Sequence, residues 1–205
     1  MKKTILILAA LSALPLCAQE STGEEQPVDI NTPFAANQTR INWYEIDPGV
    51  RKYLILQAAN TMELSAELPD YGVSPTPEQQ FDMMEQVIRR TPLDSLTGEY
   101  LQFVTEANEL NFRIIASLRK EKPADHAGII AISKRYKPEI DALCMKYPQA
   151  GRYFSQEAQM QIALALSYEL NVQRVMMQAS MAGKSRQEVM RTIVEHLRHE
   201  AEQQF

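Results

Sequence analysis

LTGEYLQFVTEANELNFRI, residues 96–114, settles the fold class. Leu96, Tyr100, Phe103, Ala107, Leu110 and Ile114 recur at alternating spacings of four and three, the repeat that lines one side of a helix packed lengthwise on partners. Nowhere does the chain alternate apolar and polar residues over a run rich in valine, isoleucine and threonine, so no sheet is expected. The reading is an all-α protein: a single bundle of about six helices in which this one is a long central member.

Capping chemistry marks the other helices. Asp47-Pro48, Thr76-Pro77-Glu78-Gln79 and Thr91-Pro92 each pair a side-chain acceptor with a proline in the first turn. Ser155 and the Ser185-Arg186-Gln187-Glu188 box open the last two. These signals predict helices at roughly 48 to 67, 77 to 90, 92 to 121, 125 to 146, 156 to 181 and 185 to 203. Ile129, Tyr136, Ile140, Leu143 and Tyr147 keep one register across Pro138, which should kink the fourth helix or divide it. Ala182-Gly183-Lys184 should turn the last two helices into an antiparallel hairpin. No residue pattern recurs at a fixed period, which argues against a solenoid.

Outside the bundle the chain divides into 1–18, 19–46 and the helical domain 47–205. Lys2 and Lys3, the apolar run Thr4 to Leu16 and the small ending Cys17-Ala18 form a signal peptide to be cut before Gln19. That run is shorter than the ~20 residues a membrane-spanning helix needs, and no other stretch suffices. The expected location is therefore extracytoplasmic, periplasmic or secreted. A lipid anchor on Cys17 is the weaker alternative, because Leu14-Pro15-Leu16 places a bulky residue where lipid attachment favours a small one. Residues 19–42 are rich in Glu, Gln, Asn, Thr and Pro and read as a flexible acidic leader. Its end, Ile41-Asn42-Trp43-Tyr44-Glu45-Ile46, should dock on the body through Trp43, in preference to leaving that ring exposed to stack a ligand.

Removing residues 1–18 leaves 19 basic against 26 acidic side chains, with basic residues scattered among glutamates, which argues against nucleic acid. It also leaves Cys144 as the sole cysteine, so no intramolecular disulfide is expected; flanked by Leu143 and Met145, it reads as an inert core thiol. Gly183-Lys184-Ser185 imitates the end of a phosphate loop, but Gln178 stands where its first glycine belongs.

Candidate functional residues are few. His196 and His199, three apart on the last helix, could share a metal but have no third ligand, so no cofactor or metal is expected. Projected along a continuous helix 156–181, Ser167, Asn171, Arg174 and Gln178 form a wet strip, and Met176, Met177 and Met181 fall with the core. Glu169 and Gln173 then project into the apolar arc, as Asn111 does on the third helix. A structural polar layer is the favoured expectation, a small cavity the alternative. Methionine also suits an adaptable groove for apolar partners.

Pro75-Thr76-Pro77-Glu78-Gln79 resembles the Thr-Pro-Glu-Gln helix start of the small periplasmic stress chaperones. The likeness spans five residues, proline replaces the usual leading leucine, and a capping box explains it, so no family is assigned. The expected function is a non-enzymatic binding protein of the cell envelope, engaging a protein or envelope component, with no nucleic acid and no transmembrane helix. The alternatives are a carboxylate-dependent enzyme using Glu169 as acid or base, and a stress chaperone or metal-handling protein.

Overall fold

Asp47 starts the first helix. Its carboxylate accepts from the Gly49 and Val50 N–H groups at 2.8 and 3.2 Å, and Pro48 fills the first turn. In the computed structural model, which describes residues 41–67, 76–124, 126–154 and 156–204, this helix is α1 (Pro48–Ala66). The signal peptide, Cys17, most of the leader and Ser155 lie outside the described residues. Residues 49–66 are nowhere exposed. Thr61 and Ser65 satisfy their hydroxyls on the carbonyls of Gln57 and Thr61, and Asn60 Nδ2 donates to Thr91 Oγ1 at 3.1 Å. The most enclosed helix is therefore α1, and not the 96–114 seam.

The next helix, α2 (Pro77–Arg90), begins with both halves of the Thr76–Gln79 capping box in place. The long helix follows as α3 (Gly98–Glu121), starting six residues later than expected. Thr91 cannot cap it because its hydroxyl is spent on the Val87 carbonyl, which closes α2. The intervening chain is tied to α1 instead: Ser95 Oγ donates to the Gly49 carbonyl at 3.0 Å. Phe103, Ala107, Leu110 and Ile114 are buried as the seam requires, while the opposite side of α3 faces solvent.

Arg119 of α3 bridges to Asp82 and Glu85 of α2, and Arg89 shares Glu85. The Arg89 guanidinium, then that of Arg119, hold the Glu85 carboxyl below its ordinary value of 4.5. A depressed carboxylate stabilises the fold above the unfolded-state pKa and loses that contribution as pH falls through the folded value. The stability advantage of the native protein over Glu85→Gln should accordingly be present at neutral pH and shrink below about pH 4.5, as urea melts at the two pH values will show.

The expected fourth helix is divided at Tyr136 into α4 (His126–Arg135) and α5 (Lys137–Lys146), with Pro138 in the first turn of the second piece. Ile140 and Leu143 are buried, and Ile129 and Tyr136 pack against the same core. A short helix not foreseen in the sequence comes next, α6 (Pro148–Phe154). Its opening N–H groups, those of Gln149 and Ala150, are accepted by Glu99 Oε1 of α3 at 2.8 and 3.0 Å.

The stretch 156–181 is two helices: α7 (Gln156–Glu169) and α8 (Val172–Met181). Asn171 breaks them, in the left-handed region at φ 55°, a conformation asparagine tolerates better than most residues. Gly183, at φ 73°, ends α8: its N–H bonds to Ser180 and that of Lys184 to Ala179, the paired closure typical of a helix C-terminus. The Ser185–Glu188 box then opens α9 (Arg186–Glu202).

The described residues thus hold nine α-helices and no strand; the expected six become nine through two divisions and one addition. Packing runs α9 to α1, α2, α3, α6, α7, α8 and back to α9, a closed circuit in which α1 against α9 is the most extensive pairing. Phe103 stacks on Phe154 at 5.0 Å between ring centres and meets Tyr147 edge-on, and Tyr53 touches Phe154. A 3-10 turn at Trp43–Glu45 precedes the circuit, with Trp43 4% exposed and Arg51 donating to the Trp43 and Tyr44 carbonyls.

Candidate functional site

The division at Asn171 turns the α7 and α8 faces away from the continuous projection. Ser167, expected on the wet strip, is buried beside Leu166 and Leu170. Glu169 and Gln173, expected inside, are exposed, so they form no interior layer. The Glu169 carboxylate accepts from the Tyr44 hydroxyl at 2.9 Å, and that bond raises the hydroxyl's pKa above its ordinary value. Asn111 is buried, as expected, with no hydrogen-bond partner for Nδ2, and it does not meet Glu169. Glu169→Ala should therefore shift stability by about 0.5 kcal/mol or less in a denaturant melt, in place of the several kcal/mol that loss of a buried ion pair costs.

The other candidates separate as well. Trp43 belongs to the core and offers no exposed ring. His196 holds the Leu170 carbonyl through Nε2, closing the break after α7, and its Nδ1 lies 3.9 Å from Glu200. His199 is exposed one turn on. Among the described residues no three His, Cys, Asp or Glu side chains are grouped to hold a metal. Cys144 is half-buried against the core.

What the structure leaves exposed instead is a set of apolar side chains on α7 and α8. Met160, Leu164 and Tyr168 follow at intervals of four along α7 and are 62%, 46% and 64% exposed. On α8, Met177 and Met181 are 57% and 82% exposed, correcting their assignment to the core; only Met176 of that group packs inward. The two helices are consecutive and in contact. The start of the described chain lies on the same unit, where the Ile41 N–H donates to Gln161 Oε1 of α7 at 2.7 Å.

This surface is also nearly uncharged. The twenty-four residues of α7 and α8 carry three charged side chains, Glu157, Glu169 and Arg174, whereas the seventeen residues of α9 carry seven arginines and glutamates. The contrast was legible in the sequence, but a helix apolar round most of its circumference reads as a core helix. No family model, curated protein or solved structure matches this chain. The physical character of the surface is then the guide to its use. Depletion of charge with methionine, tyrosine and arginine remaining is the composition found at the centre of protein–protein contacts. Thioethers add polarizable, adaptable packing.

Among the described residues no helix is long and apolar enough to cross a membrane.

Proposed function

We propose that this chain is a non-enzymatic, exported interaction protein of the cell envelope that engages a protein partner through the α7–α8 surface. One observation carries the reading. Both α1 and α7 are apolar round most of their circumference, but α1 is enclosed on every side and α7 is open along Met160, Leu164 and Tyr168. A helix apolar on all sides is a helix meant for burial, so the open side of α7 lacks its cover. Export rests on the signal-like start, Lys2 to Ala18. The carboxylate-enzyme alternative loses its support, because a solvent-exposed Glu169 lacks the burial that prepares a general acid.

A photo-crosslinking side chain placed at Leu164 in living cells tests the reading against the same group at Thr105, exposed on α3. Discrete protein adducts from Leu164 and none from Thr105 are expected. Equal or absent labelling from both positions overturns it. The mature N-terminus, by mass spectrometry, should be Gln19; a lipidated Cys17 would contradict soluble release.

A further inference from the structure

We infer that the cover of the α7–α8 surface is a second copy of this chain, the two joined about a two-fold axis; the inference rests on the interaction reading above. Charge selects this occupant. The chain is acidic overall, with a formal net charge of −5, so a like copy is repelled by most of the molecule. That repulsion is small at the α7–α8 surface, because from Glu157 to Lys184 acids and bases balance at two each. Among the described residues neither Glu169 nor Arg174 is neutralised by an opposite charge. Arg174 makes no ion pair with any described residue, and Glu169 is held only by the uncharged Tyr44 hydroxyl.

In a two-fold contact residue i meets residue j and j meets i, so an exposed acid and an exposed base, Glu169 and Arg174, can complement each other across the axis. Glu169 then faces the partner's Arg174, and Arg174 the partner's Glu169. The exposed apolar side chains of α7 and α8 supply the interior of the contact, and the two ion pairs fix its register. A strongly basic or acidic ligand finds no excess of opposite charge here. An anionic lipid surface meets a molecule of its own sign.

Charge exchange provides the test. Light scattering on the protein as purified from cells should give twice the mass of one mature chain. Arg174→Glu and Glu169→Arg, both at exposed positions, should each weaken self-association by about tenfold or more, because each variant confronts like charges twice. An equimolar mixture of the two variants should restore the dimer, since the mixed pair sets Glu169 and the introduced glutamate of one chain against the introduced arginine and Arg174 of the other. Arg191→Glu, exposed on α9, should leave association unchanged. Circular dichroism will verify that each variant keeps its helices. A monomeric wild-type protein, or a mixture that stays monomeric, overturns the inference. Leu164 adducts to a different protein from a monomeric chain would overturn the dimer and leave the interaction reading standing; a monomer with no Leu164 adducts would remove both.

Discussion

Phe103→Ala is expected to destabilise the protein by about 3–5 kcal/mol, the range measured when a buried phenylalanine is truncated. Phe103 has no exposed surface and lies where three helices meet. Its ring stacks on Phe154 of α6 at 5.0 Å and receives Tyr147, at the end of α5, edge-on at 6.2 Å. Truncation removes the transfer free energy of the ring, opens a cavity that rigid neighbours fill only in part, and ends two aromatic contacts. Because α6 is only seven residues long, its position depends on this contact and on the Glu99 bonds to its first N–H groups. Urea melts should show the loss in the midpoint with little change in slope. A cost below 1 kcal/mol would mean that α6 does not pack on α3.

Gly49→Ala should cost about 3 kcal/mol, the upper part of the overpacking range, although alanine is the better helix former. A Cβ on Gly49 would stand 2.0 Å from the Ser95 carbonyl oxygen and 3.1 Å from a carboxylate oxygen of Asp47. The first of these is backbone, so relief requires moving the chain between α2 and α3. That movement also breaks the Ser95 hydroxyl bond to the Gly49 carbonyl. The glycine is there for close approach between backbones and not for an unusual φ. Ser95→Ala separates the two effects: it should cost about 1 kcal/mol, the worth of one hydrogen bond, because it leaves the approach intact.

How much of this fold could be read from the sequence depended on whether local chemistry announced itself. The helices α2 and α9 have boxed starts and one polar side, and both lie within a residue of their expected bounds. The centrality of α1 was hidden because a helix buried on every side has no polar stripe to contrast with an apolar one. The break at Asn171 carries neither glycine nor proline, and a projection continued across it placed Glu169 and Gln173 inside and Ser167 outside, each opposite to the structure. Met177 and Met181 went inward by the same extrapolation. Of the candidate site, the apolar character of α7 and α8 and the isolation of Glu169 and Arg174 were visible in the sequence. Which side stays open was not, because that depends on how α7 and α8 pack against α6 and α9.

Methionine oxidation reads the working surface directly. Met160, Met177 and Met181 lie on the α7–α8 surface, Met145 of α5 is 76% exposed outside these two helices, and Met190 is buried. Brief peroxide treatment of dilute and concentrated protein, followed by peptide mass spectrometry, compares all five in one experiment. With the α7–α8 surface covered by a second copy, Met160, Met177 and Met181 should oxidise as fast as Met145 when dilute and several-fold more slowly when concentrated, while Met145 stays fast and Met190 slow throughout. Oxidation of Met160, Met177 and Met181 at the rate of Met145 at every concentration would contradict it, and slow oxidation of the three even at high dilution would place them in the core and remove the surface altogether.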